Sequence, residues 1–226
     1  MDKIICGKKC RIFNQGKKKV IFQPVAVDHF PEYSNEIDAT IVCFGVDDWN
    51  NELSPWSAPA VFKGDDFGGR GNKTLTWLLQ AIEEFSAIER YIGGYSLAGL
   101  FSFWAFMETD KFDGCFSCSS SLWFPGWMEY LYEHRVENKR IYLSLGDKEE
   151  LTKNKTMALV GECTRNTYNY LSMKNECIYE ENPGGHFNDP DGRVMKGIEW
   201  IISGNKSIQF TKYFPGKLII EKTLNN

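Results

Sequence analysis

The chain has 226 residues, of which 42% are hydrophobic and 25% are charged, which is ordinary globular composition with enough chain for one sizeable core. The net charge of -4 argues against a nucleic-acid-binding protein, which would present a basic surface. The seven cysteines are scattered, and we find neither a signal-like N-terminal segment nor a membrane-length apolar run, so we expect a cytoplasmic protein with reduced thiols and no membrane partner.

The first 71 residues predict a hairpin, a further strand and a long loop. A turn signal at Gly16 precedes the apolar run Val20–Gln23, so we expect a β-hairpin across Gly16, with Pro24 ending its second strand. The continuous apolar run Ala39–Gly45 is typical of a strand covered on both faces, as in a parallel sheet. Segment 47–71 is rich in Gly, Pro and Trp and predicts a long irregular loop, a candidate lid or dimer contact.

From residue 75 onward, helical and strand patterns alternate. Apolar stripes and runs predict helices near 75–85, 97–109, 127–134, 157–171 and 190–202, and strands near 91–95, 115–119, 140–145 and 176–180. Asp189 and Pro190 predict the N-cap and first residue of the last helix, and the 203–226 tail predicts a short strand pair around Pro215–Gly216 or a packed segment. The alternation predicts one α/β domain over residues 1–226. It would have a mostly parallel central sheet, helices on both faces and no large cap domain.

The motif Gly94-Tyr95-Ser96-Leu97-Ala98-Gly99 joins a predicted strand to a helix that is apolar nearly all round. A serine on such a turn projects its hydroxyl above the sheet edge, and small neighbours are needed because helix and strand pass closely there. Ala98 makes the pattern one methyl larger than Gly-x-Ser-x-Gly. The simpler interpretation is a Gly/Ser turn without chemistry, but the buried helix that follows favours a nucleophile at Ser96.

A serine hydroxyl needs a base within hydrogen-bond reach, and the base needs an orienting acid. His186 follows the last predicted strand on a Gly-rich loop, which gives the order nucleophile, acid, base. His29 precedes the serine, and His134 lies in a charged stretch that we expect to be exposed. His186 is therefore the expected base, and the alternative is a turn histidine bonded to backbone.

The orienting acid is expected where the strand at 140–145 ends. Glu149 lies three residues after Gly146 and is favoured over Asp147, although either carboxylate could instead cap the next turn. Two backbone N–H groups should stabilise the oxyanion. The first is expected at Leu97, directly after the nucleophile, and the second at Val25, because Pro24 has no N–H.

Aromatic residues in the two long loops are candidates for the pocket wall, and we choose Trp49, Trp123 and Phe124, with ordinary core packing as the alternative. Cys115 and Cys118 form a C-x-x-C inside a predicted buried strand. No second cysteine pair or nearby histidine accompanies them, so we expect no metal site there. No cofactor is expected either.

Four blocks of this sequence resemble the esterase-D and enterochelin-esterase-like branch of the α/β hydrolases. They cover Gly94–Phe101, Ser119–Phe124, Leu143–Glu149 and Asn182–Phe187, within a resemblance that spans about residues 20–202. The resemblance implies the α/β-hydrolase fold, with Ser96 as nucleophile, His186 as base and Glu149 as acid. Ala98 in place of glycine is the departure.

The sequence thus favours a serine hydrolase that cleaves a small-molecule carboxylic ester through an acyl-enzyme. A non-catalytic binding protein on the same scaffold and an acyltransferase with the same three residues are the alternatives, since fold alone does not establish chemistry. The ester itself and any homo-oligomer are left open.

Overall fold

The computed structural model describes residues 1–61 and 64–203, together with the backbone of two short strands in the tail. The strands of the main part are β1 Asp2–Ile5, β2 Lys8–Phe13, β3 Lys19–Ala26, β4 Thr40–Val46, β5 Ser57–Ala58, β6 Phe67–Gly68, β7 Glu89–Tyr95, β8 Gly114–Cys118, β9 Arg140–Gly146 and β10 Glu176–Asn182. The helices are α1 Trp49–Glu52, α2 Gly71–Ala81, α3 Ser96–Glu108, α4 Trp127–Glu133, α5 Val160–Leu171 and α6 Pro190–Ile202.

Eight strands form one sheet in the order β1-β2-β4-β3-β7-β8-β9-β10. Every neighbouring pair from β4 to β10 is parallel, and only β1 and β2 run antiparallel to their neighbours. All residues of β4 and of β8 are buried, because helices cover both faces of the sheet. The core on one face includes residues of α2 to α5, and the core on the other includes α6. The predicted α/β architecture is confirmed.

The expected hairpin across Gly16 is wrong. Strand β2 pairs with β4, and β3 lies on the far side of β4, so the chain around Gly16 crosses the start of β4. Thr40 fastens this crossing, since its hydroxyl donates to the Asn14 carbonyl at 3.0 Å and accepts the Lys17 N–H at 3.1 Å. The hairpin that does form joins β1 to β2 through Cys6 and Gly7, both with positive φ, as a tight two-residue turn requires.

Two further expectations near the N-terminus need correction. Strand β3 continues through Pro24 to Ala26, because a proline lacks only its own N–H and the remaining ladder bonds to β4 persist. Segment 47–71 is not wholly irregular: it holds α1 and the paired strands β5 and β6, which are too short to leave a periodic pattern in the sequence.

The C-terminal elements follow the sequence closely. Asp189 caps α6, with its side chain accepting the Gly192 N–H at 3.2 Å, and Pro190 is the first helical residue. In the tail, Lys212–Phe214 pairs antiparallel with Lys217–Ile219, as one of the two alternatives predicted. Parallel strands end at the same edge of a sheet, so the loops after β7, β8, β9 and β10 all meet at one edge, where ligands bind in open α/β sheets.

Candidate active site

The turn between β7 and α3 places Ser96 in a strained conformation. Ser96 has a φ of 58°, a left-handed backbone that a residue with a side chain rarely adopts unless its surroundings impose it. A Cβ at Gly94 would lie 3.1 Å from the methyl of Ala98, and one at Gly99 would lie 1.9 Å from the Ser120 hydroxyl. Because Gly94 and Gly99 have no side chains, the strand and the helix can approach closely. The space beside Gly94 is occupied by the methyl group of Ala98.

Three side chains from distant parts of the chain meet beside this turn. The Ser96 hydroxyl lies 3.1 Å from His186 Nε2, and His186 Nδ1 lies 2.7 Å from Glu149 Oε2. A carboxylate can only accept hydrogen bonds, so Nδ1 carries the proton and Nε2 offers its lone pair to the serine hydroxyl. Ser96 is half-buried, the His186 side chain is 27% exposed and that of Glu149 is 3% exposed. Ser96 and His186 are therefore accessible to solvent, while Glu149 is enclosed.

Of the two carboxylates that the sequence left open, only Glu149 contacts His186. Asp147 is exposed, and its carboxylate accepts the Gly184 N–H at 2.7 Å, so it fastens the loop that carries His186. The neighbouring Glu150 pairs with Arg165 at 2.9 Å. Of these three carboxylates only Glu149 is buried, and it begins a short 3-10 turn three residues after the last residue of β9.

The environment of Glu149 keeps it ionised. Burial by itself would raise the pKa of Glu149, but hydrogen bonding to His186, to the Ser119 hydroxyl and to the Gly146 N–H outweighs burial, and the pKa lies below its usual value of 4.5. The Gly146 N–H donates to Oε1 at 2.8 Å. The acid thus offers His186 a negative charge at neutral pH, which would stabilise an imidazolium.

Sequence reasoning missed Arg193. Its side chain on α6 is 1% exposed, and Nη1 donates to Glu149 Oε1 at 2.8 Å. The sequence does hold a signal, because Arg193 lies four and eight residues before the buried Gly197 and Ile201. It therefore occupies the buried face of the predicted helix, where an unpaired arginine would be costly.

A cavity of about 470 Å³ opens beside Ser96 and His186. Of the three aromatic residues chosen from the sequence, Trp49 and Trp123 line this cavity and Phe124 does not. Phe124 is 2% exposed, and its ring packs against those of Phe67 and Trp56 at 5.0 and 5.8 Å between centroids. It supports the pocket wall from behind. The rest of the wall is mostly apolar and comprises Phe67, Leu97, Leu151, Met157, Val160 and Phe187, among others.

A second cavity, of about 330 Å³, is also lined by Ser96. His186 lines the first cavity and not this one. The wall of the second cavity includes Gln23, Ala26, His29, Tyr33, Tyr95 and Val194. Trp49 and Ser96 line both cavities, so Ser96 stands where the two spaces meet.

The backbone N–H groups of Leu97 and Val25, the two expected oxyanion donors, differ in whether they are free to bind a ligand. Leu97 is the second residue of α3, so its N–H is among those that no helical carbonyl can accept. Val25 lies inside β3, where N–H groups point alternately to the two neighbouring strands. The Val27 N–H donates to Val46 of β4 at 3.2 Å, so the Val25 N–H also points to β4. The Ala26 N–H points to the opposite side, toward β7, the strand that leads into Ser96.

The C-x-x-C motif lies in the protein interior, where its thiols stay protonated. Cys115 and Cys118 are fully buried, and burial raises the pKa of Cys118 to about 12 and that of Cys115 well above its usual value. Within residues 1–61 and 64–203, no group of three metal-ligating side chains could hold a metal ion. In the same part of the chain, no helix combines the length and apolarity needed to cross a bilayer.

No family model and no curated protein matches the sequence, but many solved structures match the fold. An IroE-like serine hydrolase from Shewanella oneidensis has a TM-score of 0.70 at 13% identity, covering 85% of this chain and 75% of its own. The siderophore hydrolase EstA from Aspergillus nidulans has a TM-score of 0.63 at 13% identity, over 88% of this chain and 93% of its own.

A third match is the enterobactin esterase FES from Shigella flexneri, with a TM-score of 0.57 at 19% identity over 86% of this chain and 55% of its own. The strand order and these likenesses show that the chain has the α/β-hydrolase fold. They confirm the fold that the resemblance implied.

Proposed function

We propose that this protein is a serine esterase that hydrolyses a carboxylic ester of a small molecule through an acyl-enzyme. The observation that carries the proposal is the continuous chain of contacts from Ser96 through His186 to Glu149, at 3.1 and 2.7 Å. Such a chain activates a serine hydroxyl, which is otherwise a weak nucleophile at neutral pH. The esterases and hydrolases among the structural neighbours support the same class of reaction.

The proposed reaction uses these three side chains in turn. Ser96 Oγ attacks the ester carbonyl carbon while His186 Nε2 takes the hydroxyl proton, and the imidazolium is stabilised by Glu149. When the tetrahedral intermediate collapses, His186 returns that proton to the departing alkoxide and the acyl group stays on Ser96. Water then attacks the acyl-enzyme, His186 takes its proton, and the second collapse releases the acid with Ser96 reprotonated.

The oxyanion is assigned to two backbone donors, the N–H groups of Leu97 and Ala26. Leu97 supplies a free N–H at the start of α3, where the helix dipole also favours negative charge. Ala26 replaces the expected Val25, because its N–H faces the β7 side of β3 and the residue lines a cavity together with Ser96. Each donor contributes about 3 kcal/mol of transition-state stabilisation in enzymes of this kind.

The two cavities suggest how an ester lies across Ser96. The departing oxygen must lie next to His186 Nε2, which protonates it, and His186 lines only the 470 Å³ cavity. The alcohol part is therefore assigned to this aromatic cavity, and the acyl part to the 330 Å³ cavity beyond Ala26. Tryptophan and phenylalanine side chains form much of the wall of the aromatic cavity, and Phe187 and Leu151 are exposed at its rim. These side chains favour an alcohol part with an apolar or planar surface.

The direct test is Ser96→Ala assayed with p-nitrophenyl acetate, with Ser102→Ala as the matched control. Ser102 lies in the same helix, is fully buried, and its hydroxyl has no hydrogen-bond partner among the described residues. Ser96→Ala should abolish turnover and labelling by a fluorophosphonate while melting near the wild-type temperature, and Ser102→Ala should keep full activity. Full activity in Ser96→Ala would remove Ser96 from the mechanism.

The same reagents separate the alternatives. A non-catalytic binding protein would leave the fluorophosphonate unreacted, because labelling requires the activated serine. An acyltransferase would label at Ser96 but release p-nitrophenol slowly until an alcohol acceptor is added, which would take the acyl group from Ser96 as a new ester. Acid release from the wild type that is independent of added alcohols supports hydrolysis.

A further inference from the structure

Arg193 is a charged residue enclosed at the active site that the proposed reaction does not use. Its side chain is 1% exposed, and burying a guanidinium is expensive unless its donors are satisfied by charged or polar partners. It lines neither cavity next to Ser96. A direct role in binding the substrate therefore does not explain it.

The guanidinium joins four separate segments of the chain that build the site. Nη1 donates to the acid, to the serine after β8 and to the tyrosine before the nucleophile, and Nη2 donates to two carbonyls of the loop that carries the base. The contacts are Glu149 Oε1 at 2.8 Å, Ser119 Oγ at 2.8 Å, Tyr95 Oη at 3.3 Å, Pro183 O at 3.1 Å and Gly185 O at 3.1 Å.

These contacts divide the two oxygens of Glu149 between different tasks. Oε1 accepts from Arg193 and from the Gly146 N–H, both at 2.8 Å, while Oε2 faces His186 Nδ1 at 2.7 Å. Because a carboxylate is planar, fixing Oε1 with two donors also fixes the direction in which Oε2 points. Arg193 holds the acid at one end and the loop of the base at the other.

The fit around the guanidinium is close. A Cβ added at Gly146 would lie 2.9 Å from Nη2, 3.0 Å from Nη1 and 2.3 Å from the Gly184 carbonyl. Only a glycine at this position lets the backbone of β9 lie against the guanidinium. The planar fork of arginine suits such a site, whereas a lysine ammonium cannot reach the same set of acceptors in one fixed geometry.

We propose that Arg193 is a positioning residue of this active site, which holds Glu149 and the 183–185 loop in the relative placement that aligns His186 with Ser96. The proposal rests on the proposed esterase function. It predicts that removing the guanidinium lowers the rate of the chemical step more than the affinity for substrate, because misplacement of catalytic groups by about 1 Å costs on the order of 100-fold in rate.

The test compares Arg193→Met with Arg140→Met. Arg140 also fastens α6, with Nη1 and Nη2 donating to the carbonyls of Ile201 and Trp200 at 2.8 and 3.2 Å, and it pairs with Glu176 at 3.1 Å. It lies at the other end of β9, away from the site. Both variants should lower the melting temperature. Only Arg193→Met should lower kcat, by about 100-fold, with KM within about threefold of wild type.

A double-mutant cycle with Glu149→Gln separates positioning from general structural damage. If Arg193 acts through the acid, Arg193→Met should lower kcat by less than about threefold once Glu149 is already replaced. Effects that multiply across the cycle overturn the proposal, as does an Arg193→Met enzyme with wild-type kcat. If Arg193→Met does not fold, the same cycle is run with Arg193→Lys, and multiplying effects there overturn the proposal equally.

These outcomes are distinct from failure of the proposed function. An inactive Ser96→Ala enzyme together with a fully active Arg193→Met enzyme would leave the esterase mechanism standing and remove only the role of Arg193. An active Ser96→Ala enzyme would remove the mechanism itself.

Discussion

Replacement of Glu149 by glutamine probes the site most sharply, because the surroundings dictate how the amide must orient. At the Oε1 position, Arg193 and the Gly146 N–H both donate, so the amide oxygen must lie there. The amide NH2 then faces His186 Nδ1, which can no longer donate and must accept. The imidazole is forced into the tautomer that carries its proton on Nε2, opposite Ser96, and it cannot act as a base.

The expected loss is large. Holding the histidine of a serine triad in the wrong tautomer lowers kcat by about 10⁴-fold, which corresponds to about 5 kcal/mol of transition-state stabilisation. The glutamine variant also leaves the buried Arg193 without its counter-charge, and breaking a buried ion pair in this way costs about 3 kcal/mol of unfolding free energy. Activity and stability should therefore both fall.

The assay is steady-state hydrolysis of p-nitrophenyl acetate at a temperature where the variant is still folded by near-UV circular dichroism. Glu150→Gln is the matched control, since the neighbouring carboxylate pairs with Arg165 in a half-exposed ion pair, and exposed pairs contribute little. The control should keep wild-type kcat. A folded Glu149→Gln enzyme with more than about a tenth of wild-type kcat would refute the tautomer argument.

Two further predictions follow from the cavities and from the acid. Met157→Trp narrows the 470 Å³ cavity and Met195→Trp narrows the 330 Å³ cavity. Because the acyl-enzyme has already lost its alcohol, only Met195→Trp should slow deacylation in single-turnover measurements. Slower deacylation in Met157→Trp alone would instead place the acyl part in the 470 Å³ cavity. The pKa of Glu149 is lowered from 4.5, so its ionised form stabilises the folded state above pH 4.5 and this contribution is lost as the pH falls through the folded value. Denaturant titrations should show the unfolding free energy of the wild type falling more steeply below pH 4.5 than that of Glu149→Gln, whereas parallel curves would contradict the assigned shift.

The sequence predicted those features that leave a local or ordered trace. The alternation of helical and strand patterns was enough for the mostly parallel sheet, and Asp189 with Pro190 was enough for the start of α6, because capping depends on adjacent residues. The order of Ser96, Glu149 and His186 along the chain predicted which side chains meet, since strands that run parallel bring their carboxyl ends to one edge.

Errors arose where the outcome depends on which strands become neighbours. The crossing at Gly16 looks locally like a hairpin turn, and only the placement of β4 between β2 and β3 distinguishes the two. The sequence does not show which way the N–H groups of Val25 and Ala26 point, but the pairing of β3 with β4 directs the Val25 N–H to β4 and leaves the Ala26 N–H on the opposite side. Phe124 and Trp123 are adjacent aromatics, and packing against Phe67 turns one of them away from the cavity.

The sequence by itself determined the class of fold, the turn that carries Ser96 and the candidate triad, because these follow from periodicity, small residues and chain order. Only the tertiary structure decided that Arg193 lies against Glu149, that Asp147 points away from His186, and that two cavities meet at Ser96. The first two facts depend on contacts between residues that lie 44 and 37 positions apart in the chain, and no local pattern encodes the direction in which such side chains point once the sheet has assembled.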